Sequence, residues 1–141
     1  MKPSSFQFSN PVLVKMIFEI NRNFKNDKND NIDIPKNFNV SIHENENSPE
    51  AIVELTVEIG RQDESTPYYI SATEGAKFRW GEEASKKKDS LLQQNAPALL
   101  LGYLRSIIAT VSSASPFETI NIPFMDFTKK EETNKLQNKT L

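Results

Sequence analysis

The sequence predicts an α+β fold, a four-stranded antiparallel sheet packed with one long helix in the C-terminal half. Three observations carry this expectation. Apolar and polar residues alternate in separate segments before position 81, with the two-residue period of half-buried strands. The connector between the last two of these segments is short and polar, which favours antiparallel return. From Asn95 onward the apolar residues take up helical spacing, with Pro97 placed in the first turn.

Val12, Val14, Met16, Phe18 and Ile20 fall on alternate positions, so Phe6 to Ile20 reads as a strand whose entry Pro11 makes irregular. Asn21 to Lys36 is rich in Asn, Asp and Lys and ends in Ile34-Pro35, a composition that favours a solvated loop. Phe38, Val40 and Ile42 then alternate with Asn37, Asn39 and Ser41 in a second strand. After a polar turn, His43 to Glu50, comes the clearest strand, with Val53, Leu55, Val57 and Ile59 against Glu54, Thr56 and Glu58. Pro67 to Trp80 follows as the fourth strand of a meander. Glu74-Gly75 is the expected place of a bulge, and Tyr68 and Tyr69 should point to opposite faces.

Gly81 to Asn95 carries Glu82-Glu83 and Lys86-Lys87-Lys88 and reads as a solvated helix or loop. Asn95 is the expected N-cap of a helix running to about Ala114. Leu99, Leu100, Leu101, Tyr103, Leu104, Ile107, Ile108 and Val111 spread over about 200° of that helix, more than the stripe of about 100° that covers one sheet. Such an arc calls for two apolar neighbours, the chain's own sheet and a second copy of the helix, with Leu100, Leu101, Leu104, Ile108 and Val111 as candidate contacts. Gly102, Ala109 and Ser113 make the small-residue side. Ser115-Pro116 ends the helix, and Phe117 to Phe127 is an extended apolar segment. The expected division is one domain over 1–127 and a polar tail, a weak helix or disordered, over 128–141.

Composition narrows the function. With 17 basic and 19 acidic residues, the chain lacks the positive field that condensation on nucleic acid requires. No run approaches the ~20 apolar residues of a membrane span, and Met1 to Phe8 has no signal-peptide pattern, so the expected location is the cytoplasm, without membrane insertion. There is no cysteine, which removes disulfides, thiol nucleophiles and thiolate metal sites. His43 is the single histidine, with no base or metal partner at a recognisable spacing. The four glycines lie apart, so no phosphate loop is present. Neither enzyme activity, cofactor nor metal is expected. Arg79-Trp80-Gly81 reads as a packed strand end. Tyr68 and Tyr69, with Phe38, Val40 and Ile42, are candidates for an exposed apolar groove.

Asn95-Ala96-Pro97-Ala98-Leu99-Leu100-Leu101-Gly102-Tyr103-Leu104-Arg105, then Ser115-Pro116-Phe117-Glu118-Thr119-Ile120-Asn121-Ile122 and closing Asp126-Phe127, resemble the SecB export-chaperone family. Thr56 to Ile59, Thr73 to Phe78 and Phe6 to Glu19 are similar to its strands. The resemblance implies a four-stranded sheet backed by a long helix, assembled as a dimer of dimers, a homotetramer, through helix and first-strand contacts. It implies a molecular chaperone that holds unfolded or nascent preproteins for export in apolar grooves without nucleotide or metal. On matching positions the client-binding groove is Phe38, Val40, Ile42, Tyr68 and Ile70. A long client touching several grooves gains by effective concentration.

Two features depart from the pattern. Of the acidic patch through which export members dock the translocation ATPase SecA, Glu19 remains, while Lys15 and Ser71 replace acids. The family's groove-covering C-terminal helix is matched by the polar 128–141 segment alone. These departures raise the alternative of an adaptor dedicated to one partner, such as the antitoxin of a toxin–antitoxin system.

Overall fold

The computed structural model describes residues 1–25 and 33–128. Its strands are β1 (Phe6–Phe8), β2 (Val12–Ile20), β3 (Lys36–Glu44), β4 (Glu50–Gly60) and β5 (Tyr68–Trp80). The expected tail from 129 on and the loop residues 26–32 lie outside the described residues.

The first predicted strand is present in two pieces. Pro11 has no N–H to give to a ladder, and the strand breaks at Ser9-Asn10-Pro11. Both pieces lie along the same edge of β5: Phe6 opposite Trp80 and Phe8 opposite Phe78, then Val12 opposite Gly75 through Ile20 opposite Tyr68. Only β3, β4 and β5 form a meander. The N-terminal strand pairs with β5 instead of β3, so the order is β3-β4-β5 with β1 and β2 together on the far edge. A four-strand meander would need a tight turn between β2 and β3. The connection from β2 to β3 instead joins opposite edges of the sheet, and the arrangement has Greek-key connectivity.

Register sorts the side chains. Val53, Leu55, Val57 and Ile59 of β4 are fully buried, opposite Ala76, Glu74, Ala72 and Ile70 of β5. The expected bulge is on the neighbouring strand: β2 shifts register between Leu13 and Lys15, opposite Glu74 and Thr73, while β5 pairs with β4 without interruption. Gly75 serves a different need, because a Cβ there would stand 3.0 Å from the Glu54 Cγ. Gly60 closes β4 at φ +81°, and a side chain there would meet the Tyr68 carbonyl at 2.2 Å.

The helical half begins earlier than the sequence suggested. A short α1 (Glu82–Ser85) leads to α2 (Lys88–Ser90), a π-turn (Leu91–Asn95) and α3 (Ala96–Ser113). Asn95 is itself helical and makes no side-chain cap. Pro97 explains the π-turn: it offers no N–H to the carbonyl four residues back and its ring crowds that carbonyl. The backbone widens, and Ala96 N–H donates to Leu91 O. Lys88 also leaves the solvated group to which its charge assigned it. Its Nζ is 2.8 Å from Glu44 Oε2 and 5.7 Å from the Trp80 ring centroid, tying the start of the helix to the end of β3.

The continuous stretch Lys88–Ser113 is 26 residues and, by length and composition, could cross a bilayer, which a count of consecutive apolar residues does not show. Here its apolar side lies on the sheet: Leu92, Leu100, Leu104 and Ile108 are buried with Val53, Leu55 and Ile70 in one core. Each such burial contributes about 1.5–3 kcal/mol. After α3 the chain reverses, with Ile120 N–H donating to the buried Ser112 Oγ at 2.9 Å. Ile122 then anchors residues 117–127 to the core. This segment is extended but joins no sheet.

Candidate functional site

One helix cannot roof four strands. Helix α3 packs over β4 and β5, the two central strands, and the core-facing side of the sheet is left with a flank along β3 and another along β2.

On the β3 flank, Phe38, Val40 and Ile42 face the core side in register with Val57, Leu55 and Val53. Their β4 partners are fully buried, whereas all three β3 residues are half-buried. They form a continuous apolar strip on an edge strand. The other expected groove residues lie elsewhere. Ile70 is wholly enclosed, and Tyr68 is 8% exposed. Tyr68 sits between Phe18 and Phe117, with ring centroids 6.1 and 5.1 Å away. With strands about 4.8 Å apart, β3 and β5 are about 10 Å apart across β4. The five residues therefore divide into the β3 strip and an aromatic cluster near β2. Phe18 and Phe117 belong to that cluster by tertiary contact; the local pattern marks them as apolar but does not bring them together.

The β2 flank is more open. Val12, Leu13, Val14 and Ile20 are exposed, Val12 by 61%. Leu13 and Ile20 lie on the core side, in register with Glu74 and Tyr68. The register shift after Leu13 breaks the expected alternation and leaves Val12, opposite Gly75, and Val14, whose Cγ2 is 3.4 Å from the place of a Cβ on Gly75, on the other face. Strand β2 pairs with β5 on one side only among the described strands. Of the five helix residues expected at a subunit contact, Leu100, Leu101, Leu104 and Ile108 are buried against the chain's own sheet, and Val111 is half-buried. The outward part of the same arc consists of Leu99 and Ile107, half-buried, and Tyr103, exposed. Beside it, the guanidinium of Arg105 lies 4.7 Å from the ring centroid of the exposed Phe124.

The opposite sheet face is mainly polar, with Val12 and Ile52 exposed on it as well. Glu19 is exposed on β2, in register with Tyr69. The Tyr69 hydroxyl donates to Glu58 Oε2 at 3.0 Å. Burial, and then Glu58 and Glu19, hold its phenol above the ordinary 10.0. Thr56 and Thr73 hydroxyls meet at 2.7 Å, and Glu54 shares this face. Three carboxylates thus accompany Lys15 and Ser71, where the matched positions had singled out Glu19 alone. His43, near the end of β3 rather than in a turn, is exposed with Nε2 2.9 Å from Ser41 Oγ. No three His, Cys, Asp or Glu among the described residues are grouped to hold a metal.

Comparison with known proteins agrees with this architecture. The fold is similar to the SecB-like chaperone of Mycobacterium tuberculosis solved in complex with a ChAD peptide from the HigA1 antitoxin, at TM-score 0.67 and 8% identity, covering 86% of this chain and 91% of that one. A protein of unknown function from Streptococcus agalactiae aligns at TM-score 0.46 and 11% identity over 87% of this chain and all of that one. No curated protein matches the sequence. The model of the preprotein translocase subunit SecB family matches residues 13–135, which is most of the sequence and includes β2 to β5, the long helix and the segment after it: the chain belongs to the SecB family.

Proposed function

We propose that the protein is a holding chaperone of the cytoplasm that keeps unfolded polypeptides, preproteins awaiting export among them, from aggregating by taking extended segments along the β3 strip. The observation that carries this reading is the run Phe38, Val40, Ile42, half-buried at the margin of the core on the strand outside the two that α3 covers. Apolar side chains on an edge strand suit an extended chain laid alongside. Tyr68 and Ile70 act in this reading as support beneath the neighbouring surface. Nothing in the mechanism calls for a nucleotide, a metal or a covalent step. At stoichiometric amounts the protein is expected to slow the aggregation of an unrelated denatured protein; unchanged light scattering would defeat the proposal.

Self-assembly belongs to the same reading. Val12, Leu13, Val14 and Ile20 along a one-sided strand, with Leu99, Tyr103 and Ile107 outside the helix, leave apolar side chains exposed or half-buried, the kind of surface that marks a protein contact. A second copy is proposed to cover it, giving a dimer or a dimer of dimers. Of the helix residues that the sequence points to, Val111 is half-buried at the edge of this surface. Native mass spectrometry should show multiples of 16.0 kDa; monomer alone at micromolar concentration would rule assembly out.

The polar face favours a second reading. Docking to SecA through Glu19 has the support of Glu54 and Glu58, but Lys15 and Ser71 interrupt the acidic surface. A chaperone dedicated to one partner, such as an antitoxin, needs no such patch, and the similar mycobacterial chaperone is bound to an antitoxin peptide. Affinity capture from the native cell separates the two. One dominant companion supports the dedicated role, and a broad set of clients supports the general one.

A further inference from the structure

The apolar strip on β3 has two ends, and both are charged. By register with the buried Ile59, Val57, Leu55, Val53 and Ala51 of β4, the residues Lys36, Phe38, Val40, Ile42 and Glu44 all lie on the core side. Three apolar residues thus stand between a lysine and a glutamate, both exposed. From Phe38 to Ile42 the strip covers four residue steps, about 14 Å of extended chain.

Glu44 is held in place. Its Oε2 lies 2.8 Å from Lys88 Nζ, and the same ammonium is 5.7 Å from the centroid of the buried Trp80 ring. Lys88 opens the helical stretch that runs on through the π-turn, and the π-turn packs against β3. The ammonium therefore has two partners, a carboxylate and an indole face, and it leaves one of them if it swings aside. The hydrogen bond and the charge of Glu44 hold the Lys88 pKa above the ordinary 10.5, so the pair stays charged through the neutral range.

As a brace the pair is weak. Its side chains are 36% and 39% exposed, and an exposed ion pair contributes little to stability. Its effect on an arriving chain is larger. An apolar side chain laid over it strips water from two charges and returns no hydrogen bond, a cost that offsets the gain from its own burial. A polar side chain can bond to either member.

We propose that the Glu44–Lys88 pair is the end stop of the β3 strip, so that the client segment taken there has three apolar residues at alternate positions and a polar or charged residue at the next. The stop deepens the holding-chaperone reading of the strip and rests on it.

Labelled peptides with three leucines at alternate positions, separated by serines, read the stop by fluorescence anisotropy. The next alternate position carries leucine or glutamine, at one end of the peptide in a first pair and at the other end in a second, because the direction of the client decides which end meets Glu44. In the native protein leucine there should gain no more than about twofold over glutamine, the factor that a second register supplies. In Glu44→Leu, Lys88→Ala the gain should reach about fivefold in one of the two pairs, as for half-burying one more leucine. The reversed pair, Glu44→Lys with Lys88→Glu, should restore the native limit. Equal gains in the native protein and the neutral variant, in both peptide pairs, would overturn the end stop, as would a reversed pair that behaves like the neutral variant. Should the neutral variant fail to fold, Glu44→Gln, Lys88→Gln removes the charge at nearly constant size and takes its place. Failure of the underlying reading looks different: Phe38→Glu, Ile42→Glu would then bind the three-leucine peptides as well as the native protein does.

Discussion

Replacing Phe78 with alanine is expected to lower the unfolding free energy by about 3–5 kcal/mol, the range for deleting a buried aromatic ring. Phe78 is 1% exposed and lies between β4 and the short β1, opposite Ala51 and Phe8. Its ring stacks on Phe6 at 5.4 Å and meets Phe8 at 6.0 Å. Strand β1 has three residues and, among the described strands, one neighbour, so these ring contacts, rather than its few backbone bonds, hold it in place. The variant should lose β1 first. Faster proteolysis before position 12 is expected along with a lower urea midpoint, while Phe78→Leu keeps most of the stability by conserving apolar volume. A Phe78→Ala protein with the native midpoint would show that the ring contacts contribute little.

Where the sequence carried the fold, it did so through local period. The alternation of Val53, Leu55, Val57 and Ile59 with Glu54, Thr56 and Glu58 needed no tertiary information, and both faces are as the pattern reads. Tyr68 and Tyr69 likewise separate, one to the core and one to the polar face. Strand order was not legible in the same way. Period says which face a residue takes, but not which neighbour a strand chooses, and β2 pairs with β5 rather than with β3, the next strand in sequence. The helix start failed for a more specific reason: Asn95-Ala96-Pro97 has the composition of a helix beginning, yet a π-turn carries the helix through the proline.

The candidate site shows the same division. The β3 strip could be read from three alternating residues. That Tyr68 would turn toward Phe18 and Phe117, and that Ile70 would be fully covered, depends on where α3 and the segment after it come to rest. Helix periodicity marked an arc too wide for one sheet, but not which part the sheet would take. Leu100, Leu104 and Ile108 were taken by it, leaving Leu99, Tyr103 and Ile107 outside. Glu74 could not be recognised as buried from its neighbours Thr73 and Gly75; alternation along β5 shows it only once Ala72 and Ala76 are known to face the helix.

Charge placed on the β3 strip should have the largest functional effect. In the double variant Phe38→Glu, Ile42→Glu, the affinity for an unfolded client is expected to fall by at least about tenfold, or ~1.4 kcal/mol. Full burial of a Phe or Ile side chain contributes about 1.5–3 kcal/mol, and these two are already half-covered by their own chain, so roughly half of that range remains for a client at each position. The loss grows for a long client that visits several copies, because each weakened contact lowers the effective concentration at the next. The fold should tolerate the change: β3 is an edge strand, where an inward-pointing charge can bend out to water. Circular dichroism and a thermal melt near the native values are the check. Ile52→Glu is the control, since Ile52 is exposed on the opposite face, in register with His43 and Lys77, and should leave client binding unchanged. Equal protection by the double variant and the native protein would remove β3 from the mechanism, and an equal loss in Ile52→Glu would move the site to the polar face. With both faces tested in one aggregation assay, the effect of charge on an apolar strip is separated from the effect of charge anywhere on the sheet.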